Sequence, residues 1–595
     1  MTELDFARWA AAYSQRTNRS LAGSCVAVPL GRHDDSVRAF ADAAAQWGMI
    51  VEPSRAPDSC HAERNETPAT RHFERSEAQS RNLAERTERS LDSGFASARD
   101  DNEATRHAPT RDSKEAARHT SVRKDGRPIS VADEVLDARK LSGKEAIDYA
   151  EAHMDVLRAL MAQMRKTVDF TEIRIAVCLV LEPKTAVLLR ALRDAGATVG
   201  VFADPSETDQ RVADQLAREG IAVEANVCWT PEETQAGALR LLDTIRPQII
   251  IDDGASFARL AAAERPELLD GFIGVAEETT SGVRAFQAMQ DAGALAFPVI
   301  AVNDSVLKTG FDNMHGTGET CVTTMQELLG AHCFAGKAVA VIGYGPVGRG
   351  FAVRVRALGA DVTVCDTDPV AALKAVFDGF AAQDIDDAVA AADIVVSATG
   401  VRHTIALEHM RRMREGAVLS VIGGIANEIA LDDIPDFRHD NARSVSALAV
   451  PGGPTLTLLA EGDGVNYTAG GGNPIEIMDL SFAVQASAVA YLLAHRGTVA
   501  ASHGSGDSAS SHAAPSDVSS LDVESSNATA PQAAASDINA PTVDVTPLSP
   551  GLHRLDAASD RRIAQVALDV RGQSASHAVA DNGYDWRLTR FADAN

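Results

Sequence analysis

Apolar residues follow two habits along this chain. Some form short unbroken runs, as in IRIAVCLVL at 173–181, ATVGVFA at 197–203 and PQIIIDD at 247–253. Others recur every three or four positions in the intervals between those runs. The runs predict buried strands, with a further strand at 221–224. The intervals predict helices over 145–164, 185–195, 207–219 and 231–245. Such alternation predicts a mostly parallel sheet covered by helices on both faces. A second series begins at Lys337, with strands expected at 338–343, 362–366, 393–399 and 417–423, followed by an apolar helix over 480–495. The first 50 residues predict a small α/β extension: helical spacing from Leu4 to Tyr13, a strand over 25–29, a helix over 36–47 and a strand over 49–52. A short helix is expected over 555–568.

Two stretches lack this patterning. Residues 53–129 are rich in Arg, Glu, Ser and Thr. They repeat themselves, HAERNE at 61–66 returning as HFERSE at 72–77 and ATRH at 69–72 returning at 104–107. Burying little apolar surface, this insert is expected to be disordered, with a resumption of order near Val131. Residues 500–546, rich in Ser, Ala and Asp, are expected to be a flexible linker.

Composition narrows the function classes. Of 595 residues, 45% are hydrophobic but only 5% aromatic, so Ala, Val, Leu and Ile must fill most of the core. A net charge of −27 opposes binding to phosphate backbones and anionic membranes. The seven cysteines are scattered without a C-x-x-C pair, which suggests neither a disulfide framework nor a zinc site, and no histidine cluster suggests a metal. A reducing, cytoplasmic setting is expected. No signal peptide is read at the N-terminus, and no stretch is read as approaching the roughly 18 apolar residues of a membrane span.

The strongest motif is VIGYGPVGRG at 341–350, where Gly343, Gly345 and Gly348 have G-x-G-x-x-G spacing. It follows an expected strand, opens an expected helix (351–358) and leads to a strand ending in Asp366, 18 residues beyond Gly348. In that context it reads as a dinucleotide fingerprint. Gly345 lets the backbone approach the pyrophosphate at a helix N-terminus. Asp366 would accept hydrogen bonds from a ribose 2′-hydroxyl and repel a 2′-phosphate, so NAD is the expected cofactor.

EETTSG at 277–282 and VNDSVLKTGFDN at 302–313 precede this fingerprint. Together with GYGPVGRG at 343–350 they resemble the S-adenosylhomocysteine hydrolase family, from about Val131 to Leu493. The resemblance implies a Rossmann NAD-binding domain set in a split α/β substrate domain, and a C-terminal arm reaching a neighbour in a tetramer. It implies a nucleoside thioether substrate, opened through transient oxidation of the ribose 3′-hydroxyl, elimination and water addition. By resemblance, Lys308 assists 3′-hydroxyl deprotonation, Asp312 orients Lys308, Glu278 binds the ribose and Asp253 sits near the C4′ proton. Thr279, Thr280, Ser281, Asn313, Ile422, Gly423, Gly424 and Asn466 join Gly343, Gly345, Pro346, Val347, Gly348, Arg349, Gly350 and Asp366 as expected cofactor contacts. The implied partition is an extension over 1–50, insert 53–129, substrate domain 130–312, NAD domain 313–473, return helix 474–496, linker 497–546 and arm 547–595.

The chain departs from the family where substrate is handled. Val180 and Glu182 stand in CLVLEPKT, where the family has histidine and threonine. Gly424 and Asn473 take the places of two further histidines, and Ala371 replaces an asparagine. Valine cannot move a proton, so the helper for elimination and water addition is absent or comes from elsewhere. The arm's lysine and tyrosine are not recognisable, although Arg561, Arg562 or Arg571 would offer a charge. Three readings follow: a hydrolase acting on S-adenosylhomocysteine or a related thioether, a non-hydrolytic NAD-binding regulator, and an NAD dehydrogenase acting on a nucleoside-like alcohol.

Overall fold

The computed structural model describes residues 4–29, 35–54, 129–130, 136–424, 427–435, 437–438, 444–496 and 547–576. The expected linker over 500–546, and the insert apart from its two ends, lie outside these residues. Those ends are ordered. Pro53 and Ser54 close the strand Ile50–Ser54, and Ile129–Ser130 pairs in parallel with Cys25–Pro29. The result is a three-stranded sheet carried by the N-terminal extension.

Two seven-stranded sheets make up the rest. In the first, Arg174–Cys178 is flanked on one side by Thr198–Phe202 and Ala222–Glu224. On the other side lie Ile249–Asp252, Gly274–Glu277, Pro298–Ala301 and, at the edge, Gly551–His553; every pairing is parallel. The second sheet centres on Ala338–Ile342. Asp361–Cys365 and Ala381–Ala382 lie on one side, with Ile394–Ser397, Val418–Val421 and Thr455–Leu459 on the other. Its outermost strand, Val445–Ala449, runs antiparallel. The edge strand at 551–553 and the 445–459 pair were not anticipated. Each is short, and its partner strand is remote in the chain or flanked by weak alternation.

One expected helix is two. Residues 145–164 divide into Gly143–Glu151 and Asp155–Met164, interrupted at Ala152–Met154. The first carries a Ser142/Glu145 capping box. The second has no local side-chain cap; instead the Asp479 carboxylate accepts from Val156 N at 2.9 Å and Leu157 N at 2.7 Å. A cap supplied from more than 300 positions away leaves no trace in local periodicity, because the apolar spacing runs on through the break.

Asp479 lies on Ile475–Ala494, which begins five residues before the expected 480–495. By length and composition this helix is long and apolar enough to cross a membrane, contrary to the reading that no stretch comes near that threshold. Its Ser, Gln and Asp had masked the underlying hydropathy. In the fold 17 of its 20 residues are buried, so it is a core helix packed against Asp155–Met164 and the C-terminal helix Ala557–Val570. Polar residues on this buried helix must find partners inside the protein. Asp479→Ala removes two such bonds together. It is expected to lower unfolding stability by about 2 kcal/mol, read as a lower denaturant midpoint with unchanged slope.

Candidate active site

The dinucleotide loop forms as its glycines require. Gly343 leaves its strand at φ +98°, and a Cβ on Gly348 would lie 2.0 Å from the Gly343 carbonyl oxygen. The following helix spans Pro346–Ala357, five residues earlier than expected. Proline suits the first helical turn because its missing N–H has no intrahelical partner there. The helix N-terminus therefore opens directly at Gly345, which has free space around its Cα. Asp366 accepts from Tyr344 N at 2.6 Å and Asp368 N at 2.8 Å at the end of its strand.

The expected cofactor contacts divide into two groups. Thr279, Thr280, Ser281, Asn313, Gly345, Pro346, Val347, Gly423, Gly424 and Asn466 line a single cavity of about 300 Å³. Gly343, Gly348, Gly350 and Ile422 do not line it: Gly348 packs on the Gly343 carbonyl, Gly350 packs on the Met314 carbonyl, and buried Ile422 donates its N–H to the Ser397 carbonyl at 2.7 Å. Arg349 is directed away from the cavity, onto Asp378 at 2.8 Å. A dinucleotide fits these features: an open helix N-terminus, an acidic residue at the end of the second strand, and, on the cavity-lining Asn303, a buried Oδ1 that has no hydrogen bond.

Asp253, Glu278, Lys308 and Asp312 line the same cavity. Thr309–Thr317 is a π-helix, whose wider turn puts Asp312 and Asn313 on the Lys308 side together. Lys308 Nζ lies 3.0 Å from Asp312 Oδ2 and 3.1 Å from Asn313 Oδ1. Burial opposes the charge on Lys308, but Asp312 and Glu278 more than offset it, so its pKa is raised. Glu278 receives Ser481 Oγ and Gln485 Nε2, both at 3.3 Å, from the core helix. Burial pushes its carboxyl up to about 7, against the pull of Lys308. Burial also raises Asp253, opposed by Lys308 and Thr279.

Two carboxylates that sequence reading passed over brace this set. Asp252 accepts from the backbone N–H groups of Asp253 (3.0 Å), Phe257 (3.3 Å) and Ala258 (2.8 Å). Glu277 accepts from Gly254 N and Ala255 N, each at 3.0 Å, and from Thr279 N at 2.9 Å. They fix the turn that presents Asp253, with Ala255 held at φ +61°. Their only sequence signal was the doubling of the acids in IDDG and EETT.

The departures from the family are equally local. Val180 lines the cavity, and Glu182 beside it is tied to buried Lys184 at 2.5 Å. Gly424 leaves open space. Asn473 donates Nδ2 to Asp312 Oδ1 and accepts from Asn466 Nδ2 at 2.9 Å, so its amide supports the Lys308 partner. No histidine lines the cavity among the described residues. Residues 547–576 pack on this chain's own first sheet, with Arg554 on Asp304 at 2.6 Å and Ser305 Oγ on Asp560 at 2.7 Å.

This cleft, at the C-terminal ends of the parallel strands of two sheets and holding both a dinucleotide loop and a buried lysine–carboxylate set, defines an NAD-binding α/β enzyme. Comparison with known proteins agrees. The profile for S-adenosyl-L-homocysteine hydrolase matches residues 134–266, and that for the family's NAD binding domain matches 313–472. The adenosylhomocysteinase of Pyrococcus abyssi is 42% identical over 357 residues, 59% of this chain and 83% of the relative. That of Thermococcus kodakarensis is 40% identical over 364 residues, 60% of this chain and 85% of the relative. The S-inosyl-L-homocysteine hydrolase of Methanopyrus kandleri is 39% identical over 355 residues, 59% of this chain and 83% of the relative. The chain belongs to the S-adenosyl-L-homocysteine hydrolase family.

Gly348→Ala places a methyl against the Gly343 carbonyl and forces the loop open. The purified variant is expected to lose its bound NAD, measured by absorbance of the supernatant after denaturation, while its circular dichroism stays that of the parent.

Proposed function

We propose that this chain hydrolyses S-adenosyl-L-homocysteine to adenosine and L-homocysteine, using NAD that is regenerated in each cycle. The observation that carries this reading is the burial of Lys308 among Asp312, Glu278 and Asp253 in the cavity that also exposes Gly345 to Val347. Bound at Gly345, Asp366, Thr279 and Asn466, NAD would supply reversible oxidation of the ribose 3′-hydroxyl to a ketone. The residues of this chain handle the protons. Glu278, once ionised, accepts hydrogen bonds from the ribose hydroxyls. Lys308 is an ammonium in this state, not a free amine. It therefore stabilises the forming alkoxide and relays the hydroxyl proton to a neighbouring carboxylate. Asp253, which lines the same cavity, would accept the C4′ proton, which the adjacent ketone acidifies. A carboxylate whose pKa is raised by burial is a stronger base than one in water.

A second substrate has support of its own. Glu182 and Asn473 stand where the family has threonine and histidine, and the Asn473 amide is engaged by Asp312 and Asn466. The substrate-side contacts therefore differ, and a relative of 39% identity is an S-inosyl-L-homocysteine hydrolase. Homocysteine release from the adenosyl and inosyl thioethers, measured side by side, separates the two. Stable NADH without thiol would instead mark a dehydrogenase, and bound NAD with no reaction a binding protein. A homotetramer in the cytoplasm accompanies the proposal, checked by light scattering and by fractionation.

Two outcomes are expected. Lys308→Ala lowers thiol release by roughly 10²–10⁴-fold while NAD stays bound; undiminished release would remove Lys308 from the mechanism. Glu278 must be ionised to hold the ribose, so kcat/KM for the thioether rises with pH through about 7. Glu278→Gln removes that limb of the profile.

A further inference from the structure

Breaking a C–S bond leaves a thiolate unless a proton arrives, and an alkyl thiolate is a poor leaving group. Val180 carries no proton, and no histidine lines the cavity among the described residues. The other acids near Val180 are already engaged. Glu182 is paired with Lys184. Burial raises Tyr467, whose hydroxyl accepts from Gly464 N at 3.3 Å, so it gives up its proton poorly. Asp253 faces Lys308 and is needed at C4′.

Glu207 differs from all of these. It ends the short turn Pro205–Glu207 that follows the strand Thr198–Phe202. Its carbonyl accepts from Leu181 N at 2.8 Å, and Leu181 O accepts from Asp209 N at 2.8 Å. This clamp sets Glu207 beside the strip Val180–Glu182, and its side chain lines the same cavity as Asp253. We propose that the Glu207 carboxyl protonates the departing sulfur and, in the return half of the cycle, accepts a proton from the incoming water, taking over the work that Val180 cannot do. This assignment rests on the hydrolase reading above.

The step balances. The C4′ proton goes to Asp253, the C5′–S bond breaks with its electron pair on sulfur, and the Glu207 proton completes the thiol. Water then adds at C5′, giving one proton to Glu207 while Asp253 returns its proton to C4′. Neither carboxyl is consumed, and no further reactant is needed. The electrostatics support the direction of transfer. The groups acting on Glu207 are the carboxyls of Asp253, Asp204 and Asp463, with Tyr467 and Cys178 also nearby. Burial first, and these carboxylates next, push Glu207 up to about 8. It therefore holds a proton at neutral pH.

Glu207→Gln tests this on the NAD-loaded full chain mixed rapidly with S-adenosyl-L-homocysteine, following NADH absorbance and thiol release separately. NADH formation is expected at the parent rate, showing an intact fold and site, while thiol release falls roughly 10²–10⁴-fold. In the parent, thiol release declines above about pH 8, and the variant lacks that limb. A 4-nitrophenyl thioether of adenosine, whose thiolate leaves without a proton, is released by the variant near the parent rate. Undiminished homocysteine release from Glu207→Gln overturns the proposal. Equal loss of NADH formation and thiol release also overturns it, assigning Glu207 to binding. A parent that yields neither NADH nor thiol sinks the hydrolase reading itself, and this proposal with it.

Discussion

A buried ammonium surrounded by more carboxylates than it can neutralise governs this structure. Lys308 faces Asp312, Glu278 and Asp253, and each of these is shifted or held by its neighbours. An isolated charge in such a place is strongly unfavourable, and a pair survives only when its remaining hydrogen-bonding capacity is met. Here Asn313, Asn473, Ser481 and Gln485 meet it. The surplus of negative charge has a functional consequence. It holds Lys308 as an ammonium and keeps Glu278 and Asp253 above the ordinary carboxylate range.

The elements that carry this set come from distant parts of the chain, and the parallel sheets bring them together. Asp253, Glu278, Asn303, Val180 and Glu207 all follow the C-terminal ends of strands in the first sheet, and Gly345 and Gly423 follow strands in the second. Ile475–Ala494 is the common member. One of its polar residues, Asp479, caps a neighbouring helix, while Ser481 bonds Glu278 and Asp312 and Gln485 bonds Glu278. Its burial thus serves packing and chemistry at once, which explains why so apolar a helix retains these polar side chains.

Much of this was legible in the sequence, for identifiable reasons. The fingerprint was readable because backbone approach admits only glycine, and the gathering of Asp253, Glu278, Lys308 and Asp312 in one cavity because the family blocks keep both residue type and spacing. What escaped depended on contacts between remote positions. The break at Ala152–Met154 is stabilised by Asp479, and the Gly551–His553 strand exists only against Pro298–Ile300. Asp252 and Glu277 looked like spare acids beside the expected ones, since only the folded turn shows which of each pair faces inward. Glu207 sits in a segment expected to be helical, and its helix starts three residues later, at Gln210. Local periodicity cannot distinguish a first helical turn from the loop before it.

The N-terminal extension belongs to the same argument, although no family block covers it. Leu21 N and Ala22 N donate to Glu319, a fully buried carboxylate whose other partner is Arg354, 3.7 Å away. Arg354 in turn lies over the Trp47 ring of the extension at 5.7 Å. Arg19 pairs with Glu476 at the start of the core helix, and Asn18 bonds Lys184, Gly471 and Ile475. Without the extension, Glu319 would lose Leu21 N and Ala22 N, and Glu476 would lose Arg19 and Ser20 N. Buried charges left in that condition cost several kcal/mol apiece. The extension is therefore part of the fold that holds the cleft, joined to the second sheet's side through Arg354 and to the core helix and first sheet through Glu476 and Lys184.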